Sequence, residues 1–260
     1  GVQPYELLVE MNELLASPDP VLRDEVAYGA AARWVYRKRL LSADEQLRLV
    51  ELWRGNLAAG IGERGTDSVL RRSFSALNLS LLAALDNEAP FLSRSDFDGL
   101  LSAALEYSRE ERDTRGYDPA KGWMHAAGHT ADLLKFLARN PRLAVADQRR
   151  LLDAVAEKCS AFGEVFAWGE GERLAQVVRS VIRRPDFDRA AFDAWAGAFP
   201  EQHRELWAKA PAIDVARYVA VQNVKDVLRS THAALAMDAD LAPNAEGAQA
   251  KLLEALGGMR

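Results

Sequence analysis

The chain has 260 residues, 49% of them apolar, enough to bury a substantial core and to exclude wholesale disorder. A net charge of −5 argues against a nucleic-acid partner, because phosphate contacts need a basic face. The lone cysteine, Cys159, excludes an intrachain disulfide and reads as a small buried helix residue in a reducing cytoplasm. No apolar run approaches a membrane span and no signal-peptide pattern opens the chain, so no membrane partner is expected. The lack of a Met at Gly1 reads as trimming or a tag.

Apolar residues at 3.6-type spacing predict helices at 4–16, 20–39, 43–59, 67–86, 95–110, 123–139, 146–162, 171–184, 188–208, 212–236 and 244–257. All ten prolines fall between such segments or at their edges, with Pro200 breaking the helix over 188–208. Ser42 with Glu45 forms a capping box, and Ser95 and Asp188 are expected N-caps. Alternating strand patterns and Asn-Gly hairpin signals are missing. The fold class is therefore all-α.

Taken in order, the helices pair into hairpins whose second members begin near 20, 67, 123, 171 and 212, spacings of roughly 40–55 residues. That period predicts a single domain over 1–260, an α-α superhelix of HEAT/armadillo-like hairpins, with a compact multi-helix bundle as the alternative. Second helices of such arrays line the concave face. On the helix over 67–86 that face carries Arg71, Arg72, Ser75 and Asn78.

The segment ERDTRGYDPAKGWMHAAGHTAD, 111–132, concentrates the chemistry. It holds two of the four histidines and a Gly/Pro-containing loop with Arg115 and Tyr117 ahead of Trp123. On a helix starting after Gly122, His125, His129 and Asp132 share one face at i, i+4 and i+7. One reading is a zinc-type metal site of His125, His129 and Asp132, with Glu111 or Asp113 as a fourth ligand, activating water as a hydrolase. Against it, the residue after His125 is Ala126 rather than a general-base Glu, and i to i+7 spans roughly 10 Å. A second reading pairs His129 with Asp132 for acid–base work, without an evident nucleophile. The third is a buried hydrogen-bond network that ties the loop to its helix and is compatible with a ligand groove.

The motif RGYDPAKGWMHAAGHTADLL resembles a family of bacterial proteins known as domain-of-unknown-function family 2785. Its pattern is an Arg-Gly-aromatic loop followed by Gly-Trp-x-His-x-x-x-His-x-x-Asp-Leu-Leu. Arg115, Gly116, Tyr117, Gly122, Trp123, His125, His129, Asp132, Leu133 and Leu134 carry the match, and LRDEVAY and LRRSFSALNL extend it over roughly 5–185. The resemblance implies a helical-repeat fold and no transferable activity.

The expected function is that of a helical-repeat protein with a polar concave site for a small polar ligand or a peptide. Its ligand-facing residues are Arg71, Arg72, Arg115, Tyr117, Trp123, His125, His129 and Asp132. The alternative is a metal-dependent hydrolase using the His-x3-His-x2-Asp set. No organic cofactor is expected, and homo-oligomer formation is compatible with the composition.

Overall fold

Ser68–Glu88 forms α4, a 21-residue helix around which the N-terminal part of the chain is organised. The computed structural model describes residues 3–208, 210–238, 240 and 242–260. Among these the protein is all-α apart from one pair of two-residue strands. Contacts divide it into two compact units, one ending at Arg142 and the next starting at Leu143.

The first unit opens with α1 (Pro4–Glu10), which tightens into 3-10 geometry over Met11–Ala16. Next comes α2 (21–37), whose turns at Val21–Tyr28 and Ala32–Arg37 are of the wide π type. α3 (Ala43–Asn56), α4, α5 (Arg94–Glu110) and α6 (Ala126–Arg139) follow. Local chemistry sets these boundaries. At α3 the Ser42 hydroxyl accepts from the Glu45 N–H at 3.4 Å, while the Glu45 carboxylate accepts the Ser42 N–H at 2.7 Å. Ser93 and Asp96 repeat the arrangement at α5, so that cap falls two residues ahead of the expected Ser95.

Packing follows the order of hairpins. α4 lies against α3 and α6, and α5 lies against α6 and α3, so first helices neighbour first helices and second neighbour second. Val69, Leu70, Phe74, Leu79, Leu82 and Leu85 of α4 are all buried together with the polar Arg72, Ser73, Ser75, Asn78, Ser80 and Asp86, so the helix is buried around most of its circumference. At its C-terminal end Asp86 accepts the Phe91 and Leu92 N–H groups, the Asn140 amide at 2.7 Å and the Arg142 guanidinium at 2.9 Å. One fully buried carboxylate thus fixes the exits of both α4 and α6.

The second unit comprises α7 (Val145–Ala161), α8 (Glu170–Ile182), α9 (Arg189–Gly197), α10 (Phe199–Trp207), α11 (Val215–Ala236) and α12 (Ala245–Gly257). The break expected at Pro200 occurs at Ala198, which lets the proline sit in the first turn of α10, where no N–H is needed. Asp188 caps α9 through the Ala191 N–H. α11 packs on α7, α8 and α12. From it Asn223 accepts the Phe166 N–H and donates to the Glu164 and Cys159 carbonyls, pinning the loop between α7 and α8. Cys159 is buried, and desolvation holds its thiol far above the ordinary range, so it offers no thiolate at neutral pH. Among the described residues no helix is long and apolar enough to cross a membrane.

Arg72, expected on a ligand-facing surface, is instead fully buried. Its Nε donates to Glu111 at 2.6 Å and its Nη2 to the other oxygen at 3.2 Å, while Nη1 reaches the carbonyls of Ala59 and Gly60 and the Ser68 hydroxyl. Glu111 is the C-cap of α5. One side chain therefore joins the corner after α3, the first turn of α4 and the end of α5. A buried guanidinium stripped of its carboxylate is strongly unfavourable. Glu111→Leu is expected to lower stability by about 3–5 kcal/mol in urea denaturation, and a loss under about 1 kcal/mol contradicts this role.

Candidate functional site

The segment from Glu111 to His125 is built outward from that ion pair. Glu111 also accepts the Asp113 N–H at 2.9 Å. Asp113 in turn accepts the Gly65 N–H at 3.0 Å and the backbone and guanidinium N–H groups of Arg115, and Arg115 Nη2 donates to the Thr66 carbonyl at 2.5 Å. Loop 111–115 and corner 65–66 are thereby zipped together.

Beyond Arg115 the chain turns into an antiparallel hairpin, β1 (Tyr117–Asp118) and β2 (Gly122–Trp123), in the register Tyr117 opposite Trp123 and Asp118 opposite Gly122. Asp118 Oδ1 accepts the N–H groups of Ala120 and Lys121, which closes the turn. The Met124 N–H to the Gly116 carbonyl at 2.8 Å and the His125 N–H to the Arg115 carbonyl at 3.1 Å extend the ladder.

Three further ties hold the hairpin down. Lys121 Nζ donates to Asp67 at 2.6 Å, Arg23 Nη2 donates to the Lys121 carbonyl at 2.8 Å, and the Ser73 hydroxyl of α4 donates to the Met124 carbonyl. Gly122 lies at φ +72°, and a Cβ there would sit 3.1 Å from the Pro20 side chain and 3.3 Å from the Arg23 guanidinium. Only glycine suits both the left-handed backbone and the close approach of α2.

The helix start differs from the expected one. α6 begins at Ala126, and His125 is its N-cap in left-handed geometry at φ 47°. That conformation costs a non-glycine residue roughly 1–2 kcal/mol and is imposed here by the hairpin ladder on one side and the His129 N–H to the His125 carbonyl on the other. His125 therefore does not share a helical face with His129 and Asp132. Its ring nevertheless lies 5.7 Å from that of His129. Asp132 is ion-paired to Lys135 at 2.7 Å. Among the described residues no group of three or more His, Cys, Asp or Glu side chains is disposed to hold a metal ion, so His125, His129 and Asp132 do not assemble as the expected ligand trio.

What the segment does assemble is a row of six rings running from the exposed Tyr117 through buried His125, His129 and Phe74 to the half-buried Tyr28. Tyr117 meets Trp123 edge-on at 5.1 Å and Trp123 stacks on His125 at 5.0 Å. The row continues from His125 to His129, then through Phe74 edge-on at 5.0 Å to Tyr28 at 6.5 Å. The Arg23 guanidinium lies over Phe74 at 4.7 Å. Exposure falls sharply along the row: Tyr117 and Trp123 are 45% and 40% accessible, whereas both histidines are 5% accessible.

His129 Nδ1 is 2.8 Å from the Ser73 hydroxyl. Since that hydroxyl gives its single proton to the Met124 carbonyl, it accepts from Nδ1–H, which places the imidazole's lone pair on Nε2 in the neutral form. Ser73 is fully buried and its proton is committed, so it acts as a tether rather than a nucleophile.

Of the remaining expected ligand residues, Arg71 on α4 is paired with Glu13 at 2.5 Å and Arg72 is the buried tie described above. Sequence reasoning missed Phe74 as the bridge between His129 and Tyr28, and Tyr107 beneath Glu111. Burial, then the Glu111 carboxylate, pushes the Tyr107 phenol well above its ordinary value. Spacing signals Phe74, one turn from Leu70, only as core.

For Asp113, burial opposes ionisation, but the Arg115 side chain and the backbone N–H groups of Arg115 and Gly65 outweigh it and hold the carboxyl below the usual carboxylate range. A folded pKa below the unfolded one gives stability that is present above the unfolded value and lost as pH falls through the folded one. Melting temperature is therefore expected to fall as pH drops below about 4, and Asp113→Asn to flatten that fall while lowering stability at pH 7. An unaltered acid limb in the variant contradicts the assignment.

No curated protein and no solved structure matches the chain. The family described as "Protein of unknown function (DUF2785)" matches residues 57–233, more than half of the chain and including the whole 111–132 segment. The match starts later and runs further than the 5–185 span over which the motifs suggest the likeness. With its corner after α3, its ring-bearing hairpin and its helices through most of α11 inside that match, the chain belongs to the DUF2785 family.

Proposed function

We propose that the unit ending at Arg142 is a binding module, and that the Tyr117–Trp123 face of the hairpin is where a small polar molecule or a peptide docks. One observation carries this reading. Two large aromatic side chains stand exposed, packed edge-on against each other, on a hairpin whose other parts are tied down at every turn. Aromatic side chains with few rotatable bonds, held in place before binding, lose little entropy on contact. Arg115 and Lys121, each about one-third accessible, supply a charged rim for polar groups of the ligand.

In this arrangement His125 and His129 are positioning residues. Their rings back Trp123 and their backbone and Ser73 contacts set its height. Arg71 and Arg72, engaged with Glu13 and Glu111, do not contact the ligand, and neither metal ligation nor hydrolysis is part of the reading.

The test is a thermal-shift and tryptophan-fluorescence screen of small polar metabolites and short peptides. It compares the intact chain with Tyr117→Ala/Trp123→Ala. A ligand at 100 times its Kd stabilises by about 2.7 kcal/mol, a shift of several degrees at this size. Hits that shift the intact chain and leave the variant unmoved, with equal helical circular dichroism, are expected. A screen without hits, or hits that shift both chains alike, overturns the proposal.

A further inference from the structure

A cleft lies in the same unit, away from the hairpin, where the end of α3 and the following corner face α5. It encloses about 170 Å³. Leu57, Ala58, Ile61 and Ala103 give it apolar lining, and Glu106 and Glu110 line it from the C-terminal part of α5. Ala103, Glu106, Tyr107 and Glu110 recur at i, i+3, i+4 and i+7, so one stripe of α5 faces the cleft. On such a stripe two carboxylates one turn apart repel each other, an arrangement relieved by a bound cation.

The charges around the cleft point the same way. Arg54 also lines it, but its guanidinium is paired to Glu51 and passes close to Gly99, where a Cβ would lie 2.9 Å from Nη1. Gly99 is seven residues before Glu106, about 10 Å along the helix, so the positive group sits beside an earlier part of α5 than the carboxylates. Arg109 sits on one oxygen of Glu110 at 3.0 Å, and both of those side chains are largely solvated. The carbonyl end of the α3 dipole adds further negative potential at the apolar lining. The volume is below the ~300–1,000 Å³ of drug-sized sites and suits a ligand of a few heavy atoms.

We infer that this cleft binds a short primary aliphatic amine, with the alkyl chain on Leu57, Ala58 and Ile61 and the ammonium between Glu106 and Glu110. The ammonium's three donors match two carboxylates one turn apart, and the alkyl chain removes the apolar lining from water. This site is independent of the Tyr117–Trp123 reading and stands or falls without it.

The probe is n-pentylamine, titrated into the full chain and followed by ¹H–¹⁵N correlation NMR, beside 1-pentanol as the uncharged isostere. The expected result is a saturable shift confined to amides around Leu57, Ala58 and Ala103. Glu106→Gln/Glu110→Gln should weaken binding by about tenfold or more, and 1-pentanol should bind at least about tenfold more weakly than the amine. Both glutamates are on the surface of α5, and the double variant removes a like-charge pair, so its helical signal should match the parent. Shifts that do not saturate, equal affinity in the double variant, or equal affinity for 1-pentanol overturns the inference.

Discussion

Burying the Arg72 guanidinium inside the first unit creates a demand that only its surroundings can meet. The group has five N–H donors in a fixed plane and no way to lose its charge. Glu111 takes the Nε N–H and one on Nη2, and the Ala59 and Gly60 carbonyls with the Ser68 hydroxyl share the two on Nη1. Because Glu111 is also the C-cap of α5, satisfying Arg72 fixes where that helix stops and in which direction the chain leaves it. The course of loop 111–115, its bond to Gly65 and Thr66, and the entry into the hairpin all follow from that exit.

The hairpin inherits its rigidity from these ties and passes it to the rings. Each residue from Arg115 to His125 is within two positions of a bond to α2, the corner before α4, α4 itself or the opposite strand. An exposed Tyr–Trp pair on a loose loop would collapse onto the surface or sample many rotamers. On this support, backed by His125 and His129 and ending against Phe74, it stays presented. The left-handed backbone of His125 is the local cost of placing its ring beneath Trp123 while starting α6 one residue later.

Much of the helical framework is legible from residues alone, because proline and capping chemistry act over three or four positions. Ser42 with Glu45 and Asp188 with Ala191 make the contacts their spacing predicts. The break in 188–208 falls two residues before Pro200, since the ring is tolerated in the first turn of a new helix. The site was legible as a concentration of His, Trp, Tyr and Arg, but its arrangement was not. Strands of two residues are too short for alternation to register, and the close approach that leaves no room for a Cβ at Gly122 comes from Pro20 and Arg23, about a hundred positions away. Arg72 reads as a groove residue because its partner lies 39 residues on, a distance no local pattern spans. Nothing in composition marks the change of contact partners at Arg142, which falls in a short turn between helices.

The claim on which the rest depends is that the Arg72–Glu111 pair holds the ring-bearing hairpin in place. Amide hydrogen exchange in Arg72→Met, compared with the parent chain, tests it most directly. The Met124 and His125 amides, which donate to Gly116 and Arg115, should lose protection by about tenfold or more while amides of α8 and α11 keep theirs. Undiminished protection at Met124 and His125 in a variant that has lost the pair would contradict it.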